Sequence, residues 1–300
     1  MRILTRGDMD GMTSSLLLTL AEQIGEIRFA HPKDVQDGKV PADAQDIVVN
    51  LPYVPGCGMW FDHHVSEDRK LEQIGIFKGR FAVALSCARV IYDHYPQHQA
   101  AFNAYQELLD ATDRLDAAQL TVDDVSKPSG WILLGLTLDP RTGLGPEFQK
   151  YFRWLVEYLK EVPMAKILQH PEVKKRTDRV LSEQEEFFAL LKKHSKLDGT
   201  VAITDLRGVR NAPVGNRFLV FTLFPQANVE MRIFDGKGGE YTVVALGHSI
   251  FNRTCNVNVG EYLSTYGGGG HRGAGTAQLP RDKAVQQLQD VLARLKANQT

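Results

Sequence analysis

The residues in this chain with the clearest chemical potential are Asp62, His63 and His64, which follow the apolar residues Trp60 and Phe61. Aromatic residues favour strands, so the pattern predicts a buried strand whose end presents one carboxylate and two imidazoles. His63 is a natural nitrogen ligand for a divalent cation, and Asp62 can either ligate or orient that imidazole. A surface turn also accommodates an Asp-His-His triplet, so the rest of the chain must decide its meaning.

Two further carboxylates, Asp8 and Asp10, stand just after an apolar, strand-like start of the chain. Gly7 and Gly11 flank them and permit a tight backbone. Two hard oxygen ligands that are two residues apart on a loop can bind one or two divalent cations. A turn followed by a helix N-cap explains the same pattern, and the residues alone leave that alternative open.

A glycine run near the end of the chain is the second strong signal. Residues 267–270 are four glycines, followed by His271, Arg272 and Gly-Ala-Gly. Successive glycine N–H groups without side chains predict a concave anion-binding site, to which His271 and Arg272 would add charged donors. A flexible linker is the alternative, but linkers of this kind are Gly/Ser tracts without an embedded His-Arg. Arg232 and Arg253 either assist at this site or form surface ion pairs.

The elements that must position these residues alternate along the first half of the chain. Strands are predicted at 1–5, 26–30, 46–51 and 58–62, and helices at 10–23, 81–95, 98–112 and 147–160. Alternating elements with apolar strands predict a parallel sheet covered on both faces, whose ligand site lies beyond the carboxyl ends of the strands. Asp8, Asn50 and Asp62 each follow a strand there. We therefore expect three segments to converge on one rim.

The second half of the chain has a different pattern. A helix at 172–196 precedes short strands at 201–204, 218–221, 229–234 and 241–246, a hairpin signal at 235–239 and a final helix at 281–296. We predict an N-terminal α/β domain over 1–170, a connecting helix over 171–198 and a smaller α+β domain over 199–300.

Composition narrows the function classes. The chain has 300 residues, 43% of them hydrophobic, and a formal net charge of −1, so no global basic field holds long duplexes. No apolar run approaches membrane-spanning length, and the start of the chain lacks the pattern of a secretory signal. We expect a cytoplasmic protein with two domains and no membrane partner. The three cysteines are widely spaced and are expected to be reduced thiols.

Taken together and in order, these motifs resemble the DHH phosphoesterase superfamily with its DHH-associated C-terminal domain. The resemblance rests on Asp8-x-Asp10-Gly, on Asp62-His63-His64, on the acidic cluster at Asp113 and on the glycine run, and it spans essentially the whole chain. It implies a catalytic cleft between the domains, where the first binds metal and the second binds substrate. Family activities include dinucleotide and oligonucleotide phosphodiesterases, nanoRNases and exopolyphosphatase-like enzymes.

Two positions depart from the family pattern. Arg6 stands where a metal-binding His is usual, and Asn50 stands where a bridging Asp is usual. An Arg cannot ligate and an Asn offers only a neutral carbonyl, so we expect one well-bound metal rather than two. The resemblance implies these metal ligands: Asp8, Asp10, Asn50, His63 and Asp113. Mn(II) is the expected cofactor, with Mg(II), Co(II) or Fe(II) as alternatives.

The resemblance also implies roles in catalysis and substrate binding. Asp8 or Asp62 orients the attacking water, and Arg6 and His64 neutralise charge that develops on the phosphate. The predicted substrate-binding residues are Gly268, Gly269, Gly270, His271, Arg272 and Arg253. We expect hydrolysis of dinucleotides or short oligonucleotides, and a homodimer is compatible with the sequence. An exopolyphosphatase-like enzyme and a catalytically impaired nucleotide-binding regulator remain the alternatives.

Overall fold

The computed structural model describes residues 1–68, 70–140, 143–213 and 215–299. The chain divides into two compact units. The first contains residues 1–119 and 128–178, and the second contains residues 120–127 together with the chain from residue 179 onward. Within the described residues, no helix has both the length and the apolar character that crossing a bilayer requires.

A parallel sheet forms the centre of the first unit. Its strands are β1 (Arg2–Thr5), β2 (Glu26–Phe29), β3 (Asp46–Val49), β4 (Met59–Asp62) and β5 (Gly79–Phe81), and their order is β2-β1-β3-β4-β5. Every neighbouring pair is parallel. All four residues of β3 are buried, as expected for a central strand that is covered on both faces. The predicted α/β architecture is confirmed.

Helices surround this sheet, and one short helix of the same stretch belongs to the second unit. They are α1 (Met9–Ala21), α2 (Pro32–Gln36), α3 (Val65–Asp68), α4 (Leu71–Ile74), α5 (Cys87–His94), α6 (Gln99–Phe102), α7 (Gln106–Asp116), α8 (Val122–Ser126) in the second unit, α9 (Gly130–Leu136), α10 (Pro146–Tyr158) and α11 (Met164–Ile167). The first ten residues of α1 are all buried, which makes it the central helix of this unit.

The prediction of one helix over 81–95 is wrong in its first half. Phe81 ends β5, residues 82–86 are non-helical, and α5 begins only at Cys87. The Ser86 hydroxyl accepts a hydrogen bond from the Arg89 N–H, so Ser86 caps the helix and fixes where it starts. The apolar run at 81–85 resembles a helix because apolar residues alone do not distinguish helical from extended segments.

The unit boundary falls inside the long helix α12 (Pro171–His194). The second unit then contains strands β6 (Ser195–Asp198), β7 (Val201–Asp205), β8 (Val229–Asp235), β9 (Tyr241–His248), β10 (Gly269–His271) and β11 (Ala274–Pro280), with helices α13 (Val220–Leu223), α14 (Val259–Ser264) and α15 (Ala284–Ala297). The strands form one mixed sheet in the order β10-β11-β9-β8-β7-β6, so the predicted α+β class is confirmed.

One predicted strand of this unit is wrong. Residues 218–221 lie in a turn and the start of α13, not in a strand. Leu219, Val220 and Phe221 are buried, so the segment keeps the apolar role that suggested a strand. A buried four-residue apolar run fits either element, and length and periodicity cannot separate them.

Gly11 gives a direct test of the close packing at the start of α1. A Cβ added there would lie 2.1 Å from the Arg6 carbonyl oxygen and 2.6 Å from Thr5 Oγ1. Gly11→Ala should therefore lower the free energy of unfolding by about 1–3 kcal/mol, as overpacking does. Urea denaturation measures this. Gly25→Ala is the control, because no atom of the described chain lies within 4 Å of its added Cβ, and unchanged or slightly higher stability is expected there. Equal stability of both variants would contradict the packing argument.

Candidate metal centre

Asp8 lies at the N-terminus of α1 and acts as its N-cap. Its Oδ1 accepts hydrogen bonds from the Gly11 N–H at 2.9 Å and from Asn50 Nδ2 at 3.0 Å. Its Oδ2 lies 2.9 Å from Arg6 Nε. Both oxygens of Asp8 are therefore occupied by donors of the protein, and a guanidinium compensates its charge.

Asp10 is buried in the same turn and is held by the N-terminus of α5. The Cys87 N–H donates to Oδ2 and the Ala88 N–H donates to Oδ1, both at 2.8 Å. Burial raises the pKa of this carboxyl, and the charge of Asp8 adds to the effect, whereas His63 and the two amide hydrogen bonds oppose it. The helix N-terminus thus fixes the orientation of a carboxylate whose charge is otherwise poorly solvated.

One ring nitrogen of His63 faces the Asp10 carboxylate, and the other faces a backbone carbonyl. Its Nδ1 lies 3.1 Å from the Ala84 carbonyl oxygen, so Nδ1 carries the donated proton. The buried Nε2 has no hydrogen-bond partner among the described residues and lies 3.6 Å from Asp10 Oδ2 and 3.2 Å from Asp116 Oδ2. A nitrogen lone pair that faces two carboxylates requires a cation or a proton between them. Hydrogen bonding at the other ring nitrogen is the usual way a protein orients a metal-binding His.

Asp116, rather than Asp113, is the acid of α7 that reaches His63. The Asp113 carboxylate accepts a hydrogen bond from Ser86 Oγ at 2.6 Å and two from Arg89, from Nε at 2.9 Å and Nη2 at 2.6 Å. These donors bind the Asp113 carboxylate, which lies about one helical turn before Asp116. Desolvation and the neighbouring Asp10 and Asp8 carboxylates raise the pKa of Asp116. Of the acids on α7, Asp116 therefore lies next to His63, whereas the predicted ligand Asp113 is bound by Ser86 and Arg89.

Asp62 and His64 form a second contact beside His63. His64 Nδ1 lies 2.7 Å from Asp62 Oδ1. Burial is the largest influence on the pKa of His64 and lowers it, but the hydrogen bond and the charge of Asp62 outweigh it and raise the pKa to about 9. His64 is therefore an imidazolium at neutral pH. Asp62 is fully buried, and its Oδ2 has no partner in the part of the chain that the structure describes.

Asn50 directly follows β3 and is almost fully buried. Its φ of 54° lies in the left-handed region, which Asn adopts more readily than most residues. Its amide nitrogen Nδ2 donates to Asp8, while its Oδ1 is buried without a partner from any described residue.

The donor atoms of this cluster fit a divalent cation. Two triads bring one ligand atom per residue within 4.8 Å of one another, namely Asp62 with His63 and His64, and Asp10 with His63 and Asp116. Buried polar atoms ordinarily find partners, and three of the eight buried side-chain atoms that lack one in the described structure belong to Asn50, Asp62 and His63. Because Asp62 already holds His64 Nδ1 by a hydrogen bond, whereas His63 Nε2 has no partner among the described residues, the triad of Asp10, His63 and Asp116 is the better ligand set. Oxygen donors with one imidazole suit Mn(II), Fe(II), Co(II) or Zn(II).

No protein-family model and no curated protein sequence matches the chain. Among solved structures, a pGpG-specific phosphodiesterase, PggH from Vibrio cholerae, is 34% identical, with a TM-score of 0.87 and 99% of each chain covered. This chain belongs to the DHH phosphoesterase superfamily. A DHH domain described as a member of a family of ribosomal proteins (13% identical, TM-score 0.57, 98% of this chain and 86% of the other) shares the fold. So does an exopolyphosphatase-related protein from Bacteroides fragilis (11% identical, TM-score 0.55, coverage 99% and 92%).

The glycine run of this DHH protein is a hairpin rather than an open loop. Residues 269–271 form β10, which pairs antiparallel with β11, so that Gly270 stands opposite Gly275 and His271 opposite Ala274. The preceding amides of Gly267 and Gly268 donate to the Ser264 and Leu263 carbonyls at the end of α14.

The prediction that this run exposes successive free N–H groups is therefore wrong for Gly267 and Gly268, because those amides terminate α14. The glycines serve close packing: a Cβ on Gly270 would lie 2.2 Å from the Ala274 carbonyl oxygen. His271 and Arg272 are exposed at the turn of the hairpin, where both side chains are accessible to an anion.

The two arginines predicted to assist have defined contacts of their own. Arg232 donates through Nε and Nη2 to Glu230 at 3.0 and 2.8 Å, which makes it part of an ion pair of the second unit. Arg253 is exposed and its Nε donates to the Ile250 carbonyl at 3.1 Å.

Sequence reasoning missed the segment that orders the metal centre. Residues 84–89 supply the carbonyl that binds His63, the two amides that bind Asp10, and the Ser86 and Arg89 side chains that bind Asp113. Most of these groups belong to the backbone, which carries no sequence signal. The polar N-cap Ser86 before an apolar run was the one available signal.

Replacing Asp116 tests whether this residue, rather than a neighbouring acid of α7, is a metal ligand. Asp116→Asn keeps the shape but removes a charged ligand, so Mn(II) affinity should fall about 100-fold, which is the upper range for disturbing the surroundings of a metal site. Titration calorimetry of metal-free protein measures it. Asp110→Asn is the control on the same helix, because Asp110 contacts Arg89 and not His63. Equal affinities of the wild type and Asp116→Asn would exclude Asp116 as a ligand.

Proposed function

We propose that this DHH protein is a metal-dependent phosphodiesterase that hydrolyses dinucleotides or short oligonucleotides to mononucleotides. The observation that carries the proposal is the Nε2 of His63, which has no hydrogen-bond partner among the described residues and faces the carboxylates of Asp10 and Asp116. The full-length similarity to a pGpG-specific phosphodiesterase supports the substrate class. A linear diguanylate dinucleotide is therefore the first substrate to test.

The residues that would hold the metal are Asp10, His63 and Asp116, with Asp62 Oδ2 as a further donor. When bound, Mn(II), or Mg(II), Co(II) or Fe(II) in its place, supplies Lewis acidity toward the phosphate and lowers the pKa of water. The Ala84 carbonyl holds the His63 proton at Nδ1 and so keeps Nε2 available to the metal. The α5 N-terminus keeps Asp10 oriented before any ligand arrives.

Arg6 would act as a fixed positive charge beside this metal. Its guanidinium is paired with Asp8 and its side chain is 36% exposed, so it reaches both the cluster and solvent. Since Asp8 already has three protein donors, we assign it to holding Arg6 and Asn50 rather than to binding a metal. Arg6 then binds a nonbridging phosphate oxygen as charge develops there.

His64 would supply a second cationic donor to the phosphate. Its Nδ1–H is held by Asp62, which leaves the Nε2–H directed away from that carboxylate. This N–H can donate to a phosphate oxygen or pass its proton to the leaving alkoxide, which departs as an alcohol. His271 and Arg272 of the second unit, which are both exposed, remain proposed phosphate-binding residues.

Product release from an end-labelled diguanylate dinucleotide tests the proposal. Metal-free protein with Mn(II) should release mononucleotide, and chelator should abolish release. Asp10→Ala and His63→Ala should lower kcat about 1,000-fold, as the loss of major electrostatic groups does, while Asp110→Ala should not. Turnover of inorganic polyphosphate without turnover of the dinucleotide would replace this function with a phosphoanhydride hydrolase. Dinucleotide binding without any turnover would make the protein a nucleotide sensor.

A further inference from the structure

Exposed aliphatic side chains are concentrated beside His63. In the part of the chain that the structure describes, the prominently exposed large apolar side chains are Val65, Ile76, Val83, Leu85, Val122 and Val285. Val65 comes two residues after His63 in the chain, and Val83 and Leu85 flank Ala84, whose carbonyl binds the His63 ring. Half of the exposed set therefore belongs to two segments that touch the metal centre. We refer to Val65, Val83 and Leu85 as the apolar ledge.

The backbone fixes the ledge in its exposed position. The Ala82 N–H donates to the Asp62 carbonyl at 3.3 Å, the Ala84 carbonyl binds His63, and Ser86 caps α5. Val83 and Leu85 are 63% and 41% exposed, whereas Ala84 between them is partly buried. Backbone contacts therefore hold the segment that carries both exposed side chains next to His63.

Exposed apolar groups next to a polar cluster are typical of a ligand site. A polyphosphate has no apolar part that would contact such groups. A nucleotide has a base on the same molecule as its phosphate. We propose that the apolar ledge receives a nucleobase of the substrate whose phosphate binds at the metal centre, an inference that rests on the proposed phosphodiesterase function.

The orientation of His63 supports this assignment. Its Nε2 faces the carboxylates that would hold the metal, and its Nδ1 faces Ala84, so the width of one imidazole separates the metal position from the ledge segment. Aliphatic side chains contact the face of a base without directional hydrogen bonds, and contacts to base faces tolerate every base. The ledge therefore contributes affinity for a nucleotide over a bare phosphate chain, and it does not select guanine over adenine.

The test combines a double variant, Val83→Ser with Leu85→Ser, and two ligands: the diguanylate dinucleotide and the same ribose-phosphate chain without bases. Titration calorimetry in the presence of chelator gives Kd, and assays with Mn(II) give KM. The double variant should bind the dinucleotide about tenfold more weakly, equivalent to about 1.4 kcal/mol, and raise its KM by a similar factor. Binding of the baseless ligand should not change. Val285→Ser, an equally exposed valine of the second unit, is the matched control and should change neither.

Unchanged dinucleotide binding, or equal loss for both ligands, would overturn the inference. So would a change of oligomeric state by sedimentation without a change of Kd, because the ledge would then be a protein contact. Adenylate and guanylate dinucleotides should lose affinity equally. If the wild type binds the dinucleotide in a ledge-dependent way but never hydrolyses it, the phosphodiesterase function fails and the base-binding ledge stands. If the wild type neither binds the dinucleotide with chelator nor hydrolyses it with Mn(II), both fail.

Discussion

The burial of Asp10 is the constraint on which the rest of the centre depends. A carboxylate without water needs donors, and here they are two amides at the N-terminus of α5. Ser86 caps α5 at the point where the helix presents these amides, and the same segment places the Ala84 carbonyl at His63 and the Ser86 hydroxyl at Asp113. The start of α5, the orientation of the His63 imidazole and the hydrogen bonds of Asp10 are therefore coupled through one segment.

The sequence was sufficient for four strands of the parallel sheet and for the residues that follow them, but it did not predict the edge strand β5. Apolar strands with polar residues at their carboxyl ends predicted the convergence of Asp8, Asn50 and Asp62, because parallel strands bring those ends to one edge. The sequence was insufficient to choose between two acids that lie on the same face of one helix. Asp113 and Asp116 are three positions apart, and only the position of Arg89 decides which of them is neutralised. The glycine run was ambiguous because glycine fits both an open loop with free N–H groups and closely packed strands.

The charged groups of the candidate metal centre form two sets, one around Asp8 and one around His63. On one side, Arg6 and the Asn50 amide nitrogen donate to Asp8, so the charge of that carboxylate is compensated within the protein. On the other, His63 and Asp116 face each other with no proton donor from the described residues between them, while Asp10 accepts hydrogen bonds from two amides and a longer one from Ser14 Oγ at 3.4 Å. The cation site that we propose therefore lies on one side only. This asymmetry follows from the two positions at which the chain departs from the family pattern.

Asn50 has a consequence for how such centres diverge. Its backbone lies in the left-handed region, which both Asn and Asp tolerate, so exchanging the amide for a carboxylate would require no change of backbone conformation. The new carboxylate would stand at hydrogen-bond distance from Asp8, where the amide proton is now. Only a proton or a second cation would relieve that repulsion. Together with Arg6, the side chain at position 50 therefore determines whether this side of the centre is neutralised by the protein or recruits an ion, and metal stoichiometry can change while the fold does not.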